Sequence, residues 1–121
     1  MKSDDFDKTL SALKELDEDL QEHQAEEITV LEGVNQFTYA SKVEGKARKT
    51  LEQYNYVLRK FMKFLGKDLP LESISPSIIR EFLQFLKNKG LAKATVAIHY
   101  RVLRAFFNLF VVEGLLDLAP T

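Results

Sequence analysis

The chain of 121 residues contains no cysteine and only two histidines. Without cysteine it can form neither a disulfide nor a thiolate metal site, which suits a reducing intracellular compartment. His23 lies in an acidic stretch, and the sequence HQAEE that it begins has too few ligands for a zinc-protease helix. His99 falls on the apolar side of a helical pattern and is predicted to lie in the core. We therefore expect no metal and no other cofactor.

The motifs of common enzyme classes are also missing. The sequence offers no glycine-rich phosphate loop and no Ser-His-Asp set. Its four tyrosines could act as nucleophiles only beside an electrophilic site, and no such cluster is evident. An independent enzyme is the least favoured interpretation.

Targeting and membrane-spanning segments are not evident either. The first residues, MKSDDFDKTL, lack the charged and then apolar plan of a signal peptide. No run approaches the roughly 18 apolar residues that a membrane span requires. We expect a soluble, cytoplasmic protein with no membrane partner.

The net charge of −1 conceals a strong asymmetry along the chain. Residues 1–36 carry three lysines and eleven acidic residues, a net charge of −8, whereas residues 37–121 carry 14 basic and seven acidic residues, a net charge of +7. Such a division is typical of an acidic arm beside a module that binds nucleic acid or a membrane, although the same charges could simply solvate helix surfaces. We divide the chain into an acidic arm with its linker, residues 1–36, and a basic domain, residues 37–121.

The arm has the pattern of an acidic amphipathic helix over residues 4–25. Residues 28–40, ITVLEGVNQFTYA, show no clean period and are predicted to be an extended linker, followed by a flexible basic segment over residues 41–49. Three roles remain open for the arm: a fourth helix packed on the main domain, a cover over its basic face, or self-association. The apolar residues that recur at helical spacing in the arm are Phe6, Leu10, Leu13, Leu16 and Leu20.

Three helices are predicted in the main domain. Apolar residues at three-four spacing predict the first over residues 50–66. The second begins with Ser75 as N-cap and Pro76 at the first helical position, and the third runs over residues 93–113. Because no segment from residue 41 onward sustains a period of two, the predicted fold is all-α, a compact bundle of about four helices if the arm is counted.

The third predicted helix has three faces. A broad apolar face that includes His99 and the neighbouring phenylalanines is assigned to the core. A second apolar stripe needs a further packing partner. The third face is polar, and its arginines and asparagine suit contacts with phosphates, guanine and adenine. The polar face consists of Ala97, Arg101, Arg104 and Asn108, and the second apolar stripe consists of Ile98, Val102, Ala105 and Leu109.

Basic residues recur on the outer surface of every predicted helix. A single lysine is usually only a solvated charge, but the set as a whole favours nucleic-acid binding. The first helix carries five of them away from its core line: Lys49, Arg59, Lys60, Lys63 and Lys67. The residues predicted to bind DNA are Lys42, Lys46, Arg48, Lys49, Arg80, Gln84, Lys87, Lys93, Thr95, Arg101, Arg104 and Asn108.

Three segments together resemble the core-binding, SAM-like domain of tyrosine recombinases of the phage-integrase type. These segments are TLEQYNYVLRKFMKFLGK, LESISPSIIREFLQFLKNKG and AKATVAIHYRVLRAFFNLFVVEGLL with the Ala-Pro that follows. The resemblance covers about residues 41–120 and depends on spaced apolar residues and a helix opened by Ser-Pro, not on a catalytic signature. Ala119 departs from the asparagine that usually precedes the closing proline of the family.

The resemblance implies a helical domain that forms one half of a clamp around duplex DNA, while a C-terminal domain carries the catalytic residues. We therefore expect a non-catalytic fragment of a recombinase from a prokaryotic cell, a phage or a mobile element. The implied partners are double-stranded DNA, the catalytic domain and, on DNA, further copies of the protein. The alternative from the residues alone is a helical protein-interaction module that uses the second apolar stripe.

Overall fold

A computed structural model describes residues 28–121 of the chain. Within this range there is no β-strand, only an isolated antiparallel bridge between Thr29 and Pro70. The all-α prediction is confirmed. The elements are α1 (Val30–Val43), α2 (Arg48–Leu65), a 3-10 helix (Leu71–Ser73), α3 (Pro76–Asn88) and α4 (Lys93–Val112).

Helix α1 shows that the prediction of an extended linker over residues 28–40 was wrong. Thr29 caps the helix, since its Oγ1 accepts a hydrogen bond from the Glu32 N–H at 3.2 Å. Val30, Val34 and Phe37 are buried on one side of α1. β-branched residues and a glycine weaken the intrinsic helix preference of this segment, so the helix is stabilised by its packing on the rest of the domain.

The prediction of a flexible basic segment over residues 41–49 was also wrong, because most of these residues are helical. Residues 41–43 complete α1, and α2 begins at Arg48, two residues before the predicted start. Only a short turn separates the two helices, and Gly45 in that turn has a φ of 81°. The division of the chain before Phe37 falls within α1.

Gly33 allows α1 to approach α4 closely. A Cβ atom at Gly33 would lie 3.2 Å from Cζ of Phe106 and 3.3 Å from Cζ of Phe110. These distances are shorter than ordinary van der Waals contact, so any side chain at this position would require the rings of Phe106 and Phe110 to shift. Gly33 weakens the helical pattern of the sequence, and the same residue allows α1 to pack closely against the core.

The predicted C-terminal end of α2 and the predicted start of α3 agree with the structure. Gly66 follows α2 with a φ of 79°, and its N–H donates to the Met62 carbonyl oxygen at 3.2 Å. Ser75 caps α3, since its Oγ accepts from the Ile78 N–H at 3.3 Å, and Pro76 occupies the first helical position.

Phenylalanines from α2, α3 and α4 form the centre of the core. The ring of Phe61 meets the ring of Phe82 edge-on, with centroids 5.1 Å apart, and the rings of Phe106 and Phe107 meet in the same way at 4.9 Å. Such edge-to-face pairs stabilise the folded domain beyond the contribution of burying the rings. Five rings are fully buried, at 0% exposure: Phe61, Phe82, Phe106, Phe107 and Phe110.

His99 is a core residue, as predicted. Its side chain is 2% exposed, and Nδ1 lies 2.8 Å from the Thr95 carbonyl oxygen. Since a carbonyl oxygen only accepts, Nδ1 is the nitrogen that donates. Nε2 is buried without a hydrogen-bond partner among the described residues.

The second apolar stripe of α4 is covered by the described helices themselves. Val102 is buried, and Ile98, Ala105 and Leu109 are half-buried. Helices α1 and α2 both pack against α4. The expectation that another helix covers this stripe is confirmed for α1, whereas the proposed packing of the acidic arm lies outside the described residues.

Helix α4 is long and apolar enough, by length and composition alone, to cross a membrane. Such a composition is shared by the core helices of soluble domains. In this fold the phenylalanines of α4 are packed against the other helices, which accounts for its apolar character.

Candidate nucleic-acid interface

The polar face predicted on α4 is exposed in the structure. Ala97, Arg101, Arg104 and Asn108 are all solvent-accessible and follow one another at three- or four-residue intervals. They therefore form a single line along the helix, because residues three and four apart are neighbours on a helix surface. The packing of the apolar faces on the core directs this line outward.

A groove of about 400 Å³ between α2 and α4 places Arg101 beside polar residues of α2. Thr50 and Gln53 line its α2 side. A guanidinium group, an amide and a hydroxyl group therefore lie within one surface depression. These are the side-chain groups that donate hydrogen bonds to phosphate oxygens and base edges in protein–DNA complexes.

A second groove, of about 310 Å³, brings the turn after α1 close to the end of α4. Lys46 and Asn108 both line it, although they are far apart in the sequence, and Glu44 adds one acidic group. Tyr54 lines both grooves, and its ring packs on the ring of Phe37 with centroids 5.0 Å apart. The two grooves thus share a wall, which makes one continuous face of α2, α4 and the turn. We call it the α2–α4 face.

The other basic residues near the start of α2 are exposed. Lys42, Arg48 and Lys49 all point to solvent. Arg48 makes the only ion pair within residues 28–121, in which its Nε lies 3.2 Å from Oε1 of Glu52. An exposed pair of this kind contributes little free energy, so Arg48 can exchange its carboxylate for a phosphate at small cost.

The predicted residues of α3 are not brought to the α2–α4 face. Neither groove is lined by a residue of α3. Arg80 donates to Ser77 Oγ at 3.4 Å, and Gln84 donates to Asn88 Oδ1 at 2.9 Å, both along the exposed surface of α3. Arg80, Gln84 and Lys87 therefore line neither groove.

Lys93 and Thr95 lie in the first turn of α4, where the sequence predicted a phosphate contact. No side chain caps this helix end, and the first turn contains no acidic residue. Lys93 is exposed, whereas Thr95 is half-buried. The free backbone N–H groups of such a turn favour an anion.

Thr50 and Gln53 are not among the residues that the sequence predicted to bind DNA. Their three-residue spacing on a helix was visible, but the crossing that sets them beside Arg101 depends on how α2 packs on α4.

The balance of charge on the described residues is clearly basic, because residues 28–121 carry 14 basic and eight acidic residues, a net charge of +6.

No group of three or more histidine, aspartate or glutamate residues in the described part of the chain is placed to bind a metal ion. The α2–α4 face combines the cations Arg101 and Lys46 with neutral amide and hydroxyl groups, and Glu44 is the one carboxylate that lines its grooves. Its chemistry suits an anionic partner.

Comparison with known proteins gives one match. Neither curated proteins nor solved structures provide a significant match. A family model described as phage integrase SAM-like domain matches residues 29–121, which includes all four helices. The match confirms the resemblance found in the sequence and extends it through α1. The chain therefore belongs to the phage integrase SAM-like domain family, the non-catalytic helical part of integrases.

Proposed function

We propose that this domain binds double-stranded DNA through the α2–α4 face and clamps it for a recombinase whose catalytic residues lie in another domain. The observation that carries the proposal is the position of Arg101 and Arg104. They lie one turn apart on the exposed side of α4, in line with Asn108, and Arg101 shares a groove with Gln53 of α2. The family membership supports the association with a recombinase.

The geometry of α4 suits the major groove of DNA. That groove, roughly 12 Å wide, admits one α-helix, and Arg and Asn side chains on its outer line can reach base edges. Lys46 lines a groove with Asn108, Lys93 lies four residues before Ala97 on the same helix, and Lys49 is exposed near the start of α2; all three suit contacts with phosphates. Most of the affinity is expected from phosphate contacts, with a modest sequence preference from the α4 residues.

The remaining partners follow from this proposal. A catalytic domain of the same protein would complete the clamp, and further copies would assemble on the DNA. The cytoplasmic location expected from the sequence is where such DNA is accessible. The alternative of a protein-interaction module has less support, because the apolar stripe that it needs is buried or half-buried by α1 and α2.

The double variant Arg101→Ala with Arg104→Ala is expected to weaken binding of a mixed-sequence duplex by about tenfold, since two phosphate or base contacts are lost. The slope of log affinity against log salt concentration should also become shallower, by about two. Fluorescence anisotropy at several salt concentrations measures both quantities, and circular dichroism checks that the variant is folded.

The matched control is Arg80→Ala with Lys87→Ala, which removes the same charge from α3. Both pairs are exposed, so neither should disturb the core. Binding by the control should remain within about twofold of the parent, since α3 lies outside the α2–α4 face. Equal losses in the two double variants would mean that net charge, and not the α4 line, determines DNA binding.

A further inference from the structure

A cleft of about 510 Å³ lies between α2 and α3. It is separate from the two grooves of the α2–α4 face, with which it shares no residue. We call it the α2–α3 cleft. It is lined by Tyr56, Arg59, Lys60, Lys63, Phe64, Phe85 and Lys89.

Aromatic rings provide the apolar part of this cleft. The rings of Phe64 and Phe85 are 5.1 Å apart and are only half-buried. Lys89 Nζ lies 4.6 Å from the centre of the Phe85 ring. On the other side Lys60 Nζ donates to the Tyr56 hydroxyl group at 3.2 Å. The ammonium groups of Lys60 and Lys89 thus lie over the rings of Tyr56 and Phe85, where the cations and the aromatic surface stabilise each other.

The charge of the α2–α3 cleft has one sign. Four of its seven lining residues are basic, and none is acidic. None of the four forms an ion pair with a carboxylate of residues 28–121. A partially exposed aromatic surface with a rim of cations suits an occupant that combines apolar side chains with carboxylates.

The first 27 residues of the chain have this composition. They carry three lysines and ten acidic residues, a net charge of −7. Phe6, Leu10 and Leu13 recur at spacings of three and four in this segment, with acidic residues before and after them. The rest of the chain contains no comparable acidic segment.

The path of the chain allows these residues to reach the α2–α3 cleft. The carbonyl oxygen of Ile28 accepts from the Leu71 N–H at 2.8 Å, just beyond the end of α2. Val30 and Leu31 line a depression together with Met62, in the last turn of α2, and Lys67, just after the helix. One helical turn advances about 5.4 Å, so the cleft residues of α2 lie only a few turns away. An extended segment of this length spans far more than that distance.

We propose that the acidic segment of residues 1–27 docks in the α2–α3 cleft of its own chain. Its apolar side chains contact Phe64 and Phe85, and its carboxylates pair with the surrounding lysines and arginine. The docked segment neutralises the basic surface on that side of the domain and leaves the α2–α4 face open. The inference is independent of DNA binding.

The absence of cysteine provides a direct test, because one introduced cysteine can be labelled at a chosen site. A nitroxide attached to Ser11→Cys in the full chain should broaden the amide NMR signals of Phe64, Phe85 and Lys89 at least twofold more than the signal of Gly45. The measurement is made without DNA, so failure of the DNA-binding proposal does not affect it.

Charge reversal provides the matched comparison. Lys60→Glu with Lys63→Glu in the labelled chain should abolish the selective broadening, whereas Lys42→Glu with Lys46→Glu, which changes the charge equally outside the α2–α3 cleft, should preserve it. Moderate salt should reduce the broadening, since exposed charge pairs are screened. All four lysines are at least partly exposed, so the variants should remain folded.

Three results would overturn the proposal. Uniform broadening across the domain, or broadening that the cleft variant does not change, would mean that residues 1–27 do not dock there. A further experiment tests whether the segment comes from a second copy of the chain. It uses a mixture in which the isotope-labelled chains carry no nitroxide and the nitroxide-carrying chains are not isotope-labelled. Selective broadening of equal size in that mixture would assign the cleft to the segment of a second copy instead of its own chain.

Discussion

Replacing Phe107 with alanine is expected to lower the free energy of unfolding by roughly 3 to 5 kcal/mol. Phe107 is fully buried at 0% exposure. Its ring lies 6.4 Å from that of Phe61 on α2 and 4.9 Å from that of Phe106 on α4, centre to centre. Truncation leaves a cavity between helices that other aromatic rings hold apart, so collapse around it is limited.

Chemical denaturation with urea measures this change, and Val112→Ala is the matched control on the same helix. Val112 is 84% exposed, and its truncation should change the free energy of unfolding by no more than about 0.5 kcal/mol. Small domains have total stabilities of about 5 to 15 kcal/mol, so this loss removes a large share of the stability, and the transition of the Phe107 variant is followed at low temperature. A Phe107 variant as stable as the control would contradict the position assigned to this ring.

Replacing Phe37 with alanine is expected to cost about 3 kcal/mol. Phe37 is the residue by which α1 joins two other helices at once. Its ring lies 5.0 Å from that of Tyr54 on α2 and 5.6 Å from that of Phe106 on α4. The loss should detach α1 as well as leave a cavity, because few other large side chains of α1 are buried.

Tyr39→Ala is the control for this second prediction. Tyr39 lies on the same helix but is 72% exposed, so its truncation should be nearly neutral. Hydrogen exchange of the α1 amides distinguishes loss of the helix from loss of the whole domain. If Phe37→Ala were as neutral as the control, α1 would contribute nothing to the folded domain, and the linker expected from the sequence would be the better description.

The sequence predicted three of the four described helices because their signals agree with one another. In α3 the N-cap, the proline after it and the apolar spacing all indicate one helix. In α1 the signals conflict, since Gly33 interrupts the apolar pattern of Val30, Val34 and Phe37. The reason for the glycine is the closeness of Phe106, since a Cβ atom at Gly33 would lie 3.2 Å from its Cζ, and no local sequence pattern reveals that contact.

The candidate site was predictable to the same extent. The exposed line of Arg101, Arg104 and Asn108 follows from helical period alone, since the opposite face is apolar. The grouping of Arg101 with Gln53, and of Asn108 with Lys46, requires the packing of α4 against α2 and α1. The sequence also placed the α3 residues in this group. Basic residues on the outer sides of different helices have the same sequence pattern, and only the packing of the helices shows which of them share a groove.

The bounds of α1 determine which length of chain suits functional experiments. A chain that begins at residue 37 would lack the first half of α1, including Val30, Gly33 and Val34. Such a chain would expose part of the core around Phe106 and could fail to bind DNA for reasons unrelated to its surface. The full chain is the appropriate protein for binding measurements.

The most direct test of DNA binding is a fluorescence-anisotropy titration of a mixed-sequence duplex with the full chain at several salt concentrations. The proposal predicts binding at low salt and a loss of affinity of tenfold or more between about 50 and 200 mM salt, because counterions are released when several phosphates are contacted. Apolar docking of a protein partner would respond little to the same change. No binding at the lowest salt concentration, or an affinity that salt leaves unchanged, would contradict the assignment of the α2–α4 face as a DNA-binding surface.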